Sequence, residues 1–454
     1  MSILRALTKR AESGIISPKG GYAMAMLENG FSLRTEFHRD LTVNRLLGEG
    51  GQGEVYHVTY NGQPAALKWY KKDSLKNPAA FQENLRQNIM RGAPSREFLW
   101  PLDLTAWQDG SFGYVMDLRP EGYYDITDFT LCHVRFPSYR AVIDACLSIV
   151  SAFRILHNDG YSYQDINDGN FFINPRSGKV LIGDNDNVAP DKTETGIVGK
   201  PRYMAPEIVL RKNMPDSLSD RFSMSVILYM LFCLNHPLEG QRYLVPALTP
   251  ALEEKLYGSE ALFMMDPDDR ANAPNPTVHG NSIKVWNCLP DYMRKIFLDA
   301  FSRKALEKPS ARPSEAVWLN TLTRFRSEIV PCPCGNEIFT RDGRPCQCEK
   351  CGRAANIPFR LQFSQYAIPA VRGSRVYRCQ LGICDAKDAL SPVAMVVAKE
   401  SRPDVLGLRN KSDRRWDAVN TKGEARKVAP EETIPLKHGI CFTACGENIE
   451  ILAN

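Results

Sequence analysis

Residues 163–186 read Tyr163-Gln-Asp165-Ile-Asn-Asp-Gly-Asn170-Phe-Phe-Ile-Asn-Pro-Arg-Ser-Gly-Lys-Val180-Leu-Ile-Gly-Asp184-Asn-Asp186. An acid at 165 and a carboxamide at 170 stand five positions apart, and a second acid, Asp184, follows a short apolar run from Val180 to Ile182. That order matches H-R-D-x-x-x-x-N followed by D-F-G, a pattern that supplies one carboxylate for an acceptor group and two ligands for a cation. Asp186 competes with Asp184 for the ligand role; Asp184 is favoured because the apolar strand ends just before it.

Upstream, Gly48-Glu-Gly50-Gly-Gln-Gly53-Glu-Val55 fits G-x-G-x-x-G-x-V, in which glycines let the backbone close over phosphates and the valine covers a base. A glycine-rich hairpin turn without a ligand is the plainer reading of such a stretch. Ala66-Leu67-Lys68 follows on a strand-like segment, with Lys68 thirteen positions after Val55, and Asn61-Gly62 between them signals a tight turn. Downstream, Gly199-Lys200-Pro-Arg-Tyr-Met-Ala205-Pro206-Glu207 precedes Ser219-Asp220-Arg-Phe-Ser223, which heads an apolar helical run to Leu234. Apolar residues recur at helical spacing from 139 to 158, and helical patterns return at about 285–302 and 313–328, the last opening on Arg312-Pro313-Ser314-Glu315.

These elements, in this order, resemble a eukaryotic-type protein kinase domain over residues 40–328. The resemblance implies a bilobal fold, ATP and Mg²⁺ as cofactors, and transfer of the γ-phosphoryl group to Ser/Thr hydroxyls of a partner protein or of the chain itself. Phosphoryl transfer is largely positioning plus neutralisation of charge, which explains the residue types. By resemblance Gly48, Gly50, Gly53, Val55 and Ala66 cover the nucleotide and Lys68 pairs with its phosphates. Asn170 and Asp184 hold Mg²⁺, and Asp165 is the catalytic carboxylate. Tyr114-Val-Met116-Asp117-Leu-Arg119 takes the place of the interlobe hinge, with Met116 behind the adenine and the backbone at Asp117 and Arg119 bonding its edge. Glu83 is the expected partner of Lys68, with Gln87, one turn later, as its rival.

Three departures stand out. Tyr163-Gln164-Asp165 replaces His-Arg-Asp and removes the arginine that receives a phosphorylated activation loop in many kinases. Asn185-Asp186 replaces Phe-Gly. Asn167 stands where a lysine is usual and Lys200 where a threonine is usual, so Lys200 is expected to return the missing ammonium to the catalytic side, against the alternative that it faces solvent. Thr193 and Thr195 are candidate acceptors within the activation segment. Retention of Lys68, Asp165, Asn170 and Asp184 favours a competent enzyme; the competing class is a catalytically weak nucleotide-binding scaffold that recruits partners.

After Pro331 the character changes. Nine of the 13 cysteines lie beyond residue 330, and Cys332-Pro-Cys334 with Cys348-Glu-Lys-Cys351 forms two pairs separated by 13 residues, near the spacing of zinc ribbons with four thiolates on one Zn²⁺. Cys346 is an alternative ligand, and redox sensing an alternative role. Residues 329–358 are therefore read as a structural zinc ribbon. Residues 359–454, with short alternating segments such as Val393–Ala398 and Ile440–Phe442, are read as a small all-β, sandwich-like domain weakly resembling forkhead-associated domains. The Ser-x-x-His element is absent, since Arg415 and Trp416 follow Ser412 and Asp413, so docking or regulation is expected in preference to phosphopeptide reading. Cys379, Cys384, Cys441 and Cys445 are expected to pack as small hydrophobes.

Composition agrees with this α+β architecture. The 454 residues are 43% hydrophobic and 24% charged, which excludes disorder as the dominant state, and a net charge of +5 is too small to point to nucleic acid or a membrane surface. The longest apolar run, Met224 to Leu234, falls short of the roughly 20 residues a bilayer crossing needs. The start of the chain, residues 1–10, holds no secretory apolar core, so a cytoplasmic location is expected. The resemblance extends to bacterial kinases grouped with a metal-dependent phosphatase and a von Willebrand A domain protein, which would then be partners. Residues 1–39 form an N-terminal extension in this reading.

Overall fold

A computed structural model describes residues 26–193, 195, 199–382 and 385–454. Cys384 and residues 1–25 lie outside the described residues. The small lobe is a six-stranded antiparallel sheet of β1 (Ser32–Arg34), β2 (Asp40–Glu49), β3 (Gly53–Tyr60), β4 (Gln63–Tyr70), β5 (Pro101–Leu104) and β6 (Gly113–Met116), in the order β1-β2-β3-β4-β6-β5. Asn61 and Gly62 turn β3 into β4 with φ of 47° and 76°, the left-handed pair that a two-residue hairpin requires. β1 lies ahead of residue 40 and joins the same sheet. Ser32, Leu33 and Arg34 pair with Thr42, Leu41 and Asp40, and Leu27 and Leu33 enter the sheet's core. The helix Pro78–Arg91 packs beside this sheet, its N-terminus capped by Asn77.

The large lobe is built on two buried helices. Tyr139–Asn158 is capped by Ser138, whose Oγ accepts from Ala141 N at 3.1 Å. Ser217–Cys233 starts in a reciprocal capping box between Asp216 and Ser219. A continuous hydrophobic core runs from Phe98 to Ile329 and also takes in Cys379 and Ala389. The helical pattern expected as one stretch over 285–302 is two helices, Gly280–Cys288 and Asp291–Ala300, because Pro290 lacks the N–H an uninterrupted helix would use. Glu315–Glu328 packs along Tyr139–Asn158.

Beyond it, strands Ile329–Pro331 and Glu337–Phe339 form a hairpin. The Glu337 carboxylate accepts from Tyr139 N at 2.6 Å and Arg140 N at 3.3 Å, so the hairpin caps a main helix of the large lobe. Residues 359–454 hold two antiparallel sheets of six and four strands around a separate core that includes Leu361, Val376, Leu408, Trp416 and Phe442. Among the described residues no helix is long and apolar enough to cross a membrane.

Candidate active site

The loop between β2 and β3 forms the roof. Gly50 N donates to Gly53 O at 2.8 Å and Lys71 Nζ to Gly50 O at 3.0 Å, which fixes the turn. A Cβ on Gly53 would lie 2.2 Å from the Trp69 carbonyl oxygen, so this glycine serves the β3–β4 pairing. At Gly48 and Gly51 a Cβ would meet nothing within 4 Å, and at Gly50 only the Gly53 carbonyl oxygen at 3.8 Å, so open space lies there for a phosphate chain. Beneath the roof, Ala66 and Met116 are buried together and Val55 packs against the same cluster. Met116 ends β6, and Asp117 and Arg119 follow as exposed hinge residues, the Arg119 guanidinium lying 4.4 Å from the Phe172 ring centroid.

The floor is the large-lobe loop around Asp165. Asp220, at the head of its buried helix, accepts from Tyr163 N at 2.5 Å and Gln164 N at 3.1 Å and so fixes the backbone just before Asp165. Asn170 Nδ2 donates to the Asp165 carbonyl at 2.9 Å. Asn167 Nδ2 bonds the Asp165 carbonyl at 3.1 Å and its Oδ1 at 3.4 Å, while Lys200 Nζ donates to Asn167 Oδ1 at 3.3 Å. Lys200 thus faces the loop through Asn167, and among the described residues it makes no direct ion pair with Asp165. Gln164 Nε2 reaches the Thr193 carbonyl at 2.9 Å, so the residue in the arginine's place ties the activation segment by a neutral bond.

Lys68 is nearly buried on β4, and its ammonium lies 3.2 Å from Asp184 Oδ1 and 2.8 Å from Asp186 Oδ2. Glu83 is a correction: it is not a partner of Lys68. It sits on the outer face of its helix, pairs with Arg86, and accepts from Gln87 Nε2 at 3.3 Å. Gln87 likewise turns outward. Toward the segment after Asp186 that helix presents Asn84 and Asn88, whose amides both donate to the Val188 carbonyl, at 2.9 and 2.8 Å. Asp184 stands in a left-handed conformation with φ 46° and its side chain 40% exposed, open to the cleft. Asn185 is fully buried and donates to Leu99 O at 2.7 Å and Ile182 O at 2.9 Å, a polar plug where the resemblance would place a phenylalanine.

The charges are close enough to govern one another. Burial, followed by the Asp184 and Asp186 carboxylates, pushes the Asp165 carboxyl up to about 7, against the pull of Lys68 and Asn167. Burial opposes the charge on Lys68, but the two aspartates outweigh it and hold the amine protonated. A cleft with open space under its roof, a paired ammonium and a half-exposed carboxylate has the donor set that a metal-bound nucleotide needs.

Two buried ion networks support the floor, and the sequence reading identified only some of their members. Glu207 pairs with Arg312 through bonds of 2.8 and 2.6 Å. His157 lies between Glu315 at 2.8 Å and Asp220 at 3.1 Å, and Arg221 also donates to Glu315 at 2.8 Å. The signal for Arg312 was its place before Pro313 and the acidic helix start, which fixed a helix but not a partner.

The four cysteines 332, 334, 348 and 351 converge, their sulfurs all within 4.8 Å of one another. Cys332 and Cys351 lie 3.6 Å apart, as do Cys334 and Cys348. Four thiolates at Zn–S distances of about 2.3 Å in a tetrahedron stand roughly 3.8 Å apart, so the donor set fits zinc. Cys346 stays outside, its sulfur directed to the Arg344 carbonyl at 3.6 Å.

Residues 41–249 match the protein kinase domain. That segment is a little under half of the chain. Calcium-dependent protein kinase 20 of Oryza sativa subsp. japonica is 30% identical over 214 residues, covering 44% of this chain and 38% of that protein. Serine/threonine-protein kinase pim-2 of Danio rerio is 25% identical over 237 residues, covering 47% of this chain and 74% of that protein. A cGMP-dependent protein kinase of Drosophila melanogaster, isozyme 2 forms cD5/T2, is 29% identical over 220 residues, 44% of this chain and 22% of its own length. Apart from the Danio rerio protein, these alignments span well under half of the relatives' length. Each of these similarities is to a protein kinase, one of them named for serine and threonine.

Proposed function

We propose that the chain is an ATP-dependent protein kinase that transfers the γ-phosphoryl group to Ser/Thr hydroxyls of a partner protein, and to itself. The observation that carries this reading is the meeting of Lys68, Asp165, Asn170 and Asp184 in one cleft beneath the Gly48–Gly53 roof. Magnesium-bound ATP supplies the phosphoryl group and the cation that neutralises its oxygens. Lys68 would hold the phosphates, and Asn170 and Asp184 would hold the cation. The bond between the γ-phosphorus and its bridging oxygen breaks as a bond to the acceptor oxygen forms, and the acceptor's proton passes to the Asp165 carboxylate. The Lys200–Asn167 pair holds the Asp165 carboxylate in place and sets a positive charge beside the acceptor.

The four thiolates hold a structural zinc, which orders residues 329–358, and the two-sheet domain serves docking or regulation. A von Willebrand A domain protein as substrate, a metal-dependent phosphatase as its antagonist, a bacterial source and a cytoplasmic location rest on the sequence resemblance alone. The test is mass spectrometry of the chain after incubation with Mg·ATP, alone and with a candidate substrate protein. New phosphoserine or phosphothreonine that is absent with Asp184→Ala supports the reading. Tight Mg·ATP binding with no transfer to any protein would replace it with the scaffold.

A further inference from the structure

We propose that Asp186 is the positioning residue for Lys68, in the role that a carboxylate on the Pro78–Arg91 helix would otherwise fill, so that the lysine stays aligned without that helix. This rests on the kinase reading above.

The Asp186 side chain is fully buried, and its Oδ2 accepts from Lys68 Nζ at 2.8 Å and from the Tyr70 hydroxyl at 2.5 Å. Lys68 and Tyr70 are two positions apart on β4, so the strand's pleat sends both to one face and makes a two-donor socket for a single carboxylate oxygen. The socket is reached because the left-handed backbone at Asp184 opens a 3₁₀ turn over Asn185–Asn187, and the Asn185 amide, bonded to Leu99 and Ile182, anchors that turn. Asp184 faces the open cleft and Asp186 the interior, so the two carboxylates flanking one ammonium have different surroundings. When Asp184 turns to a cation, Asp186 remains as the lysine's counter-charge. A buried ammonium without such a partner is costly, and among the described residues no acid of the Pro78–Arg91 helix pairs with it. That helix is instead fastened by Asn84 and Asn88, four positions apart on one face, to the backbone carbonyl of Val188, two residues beyond Asp186.

The experiment measures Mg·ATP affinity by titration calorimetry on the full chain, at several Mg²⁺ concentrations, for wild type and for Asp186→Asn, Tyr70→Phe, Glu83→Gln, Lys68→Met and Lys68→Met/Asp186→Asn. Asp186→Asn is expected to weaken binding about 10–100-fold, the worth of a hydrogen bond to a charged group, with the half-saturating Mg²⁺ concentration unchanged. Tyr70→Phe, which keeps the carboxylate and is the fallback if Asp186→Asn does not fold, is expected to shift affinity the same way by less. Glu83→Gln is expected to match wild type. In the Lys68→Met background Asp186→Asn is expected to add nothing, because its effect runs through the lysine. Wild-type affinity in Asp186→Asn, full additivity with Lys68→Met, or recovery of Asp186→Asn by extra Mg²⁺ would each overturn the proposal, the last by making Asp186 a metal ligand. Failure of wild type to bind Mg·ATP at all would instead overturn the kinase reading on which it stands.

Discussion

Removing Arg312 tests whether the floor of the cleft depends on a buried charge pair. Its side chain is 1% exposed and that of Glu207 is 9% exposed. Besides the two bonds to Glu207, the guanidinium donates to Ala305 O at 3.1 Å and Leu218 O at 2.8 Å, so it joins three separate segments of the large lobe. Arg312→Met would leave Glu207 buried with no counter-charge and remove a charged donor from both carbonyls. Breaking one side of such a pair costs about 3–5 kcal/mol, whereas exchanging both partners for apolar residues is often close to neutral. At about 2 °C per kcal/mol for a domain of this size, the single variant should melt about 6–10 °C below wild type. Glu207→Met/Arg312→Met should recover part of that loss. Urea and thermal melts of wild type and the two variants give the comparison. Because Glu207 lies in the first turn of the helix Pro206–Val209 that follows the Gly199–Met204 stretch, phosphoryl transfer should fall in the single variant as Lys200 loses its place. A loss below about 1 kcal/mol in Arg312→Met, or a double variant less stable than the single one, would refute the reasoning.

Three further outcomes follow from the site. With Asp165 raised to about 7, kcat/KM should fall about tenfold per pH unit below that value, and Asp165→Asn should lose about 10²–10⁴-fold in transfer while still binding Mg·ATP; a flat profile from pH 5 to 8 would contradict the burial argument. Burial lowers the His157 value, but its bonds to Asp220 and Glu315 outweigh this and lift it from 6.5 to about 9, so its stabilisation is complete below about 6.5 and lost as pH rises through 9. The unfolding free energy of wild type from urea melts should therefore decline over that range by on the order of 3 kcal/mol more than that of His157→Gln, and parallel curves would count against it. Metal analysis should find one zinc per chain, lost in Cys348→Ser, with faster amide exchange at Tyr139 and Arg140 because Glu337 would no longer be held against them; protein purified without chelator and free of zinc would exclude the site.

What was legible in the sequence is what local order encodes. Asp165, Asn170, Asp184 and Lys68 stand at spacings their strands and loops impose, and the Asn61-Gly62 turn and the long apolar helices carry their own periodicity. What was hidden lies in pairings across the chain. In the sequence Glu83 is the acid at hand on the helix for Lys68, and Asp186 reads only as a metal ligand, because nothing in the sequence tells which way a turn rotates its second acid. The three residues of β1 are too few for alternation to show, and Pro290 divides a helical pattern whose apolar spacing continues across it. The short Cys-x-Cys pair left Cys346 open as a ligand until the fold turned its sulfur away.

These hidden pairings converge on one short segment, and that changes how the lobes are joined. Leu99 N donates to Ile182 O at 2.8 Å, and the Asn185 amide answers to Leu99 O. Asp184 and Asp186 hold Lys68, Asp186 accepts from Tyr70, and Val188 accepts from Asn84 and Asn88. Residues 182–188 therefore bind β4, the Pro78–Arg91 helix and the strand entering β5 all at once. A kinase whose lysine is paired from a mobile helix can be switched by swinging that helix, because the swing breaks one buried ion pair. Here the same swing would break the two hydrogen bonds that Asn84 and Asn88 donate to the Val188 carbonyl and leave the lysine's charge compensated. On the proposed reading, control by helix displacement has little leverage on Lys68, and a signal has more to gain by moving the 182–188 segment itself, which carries both Asp184 and Asp186.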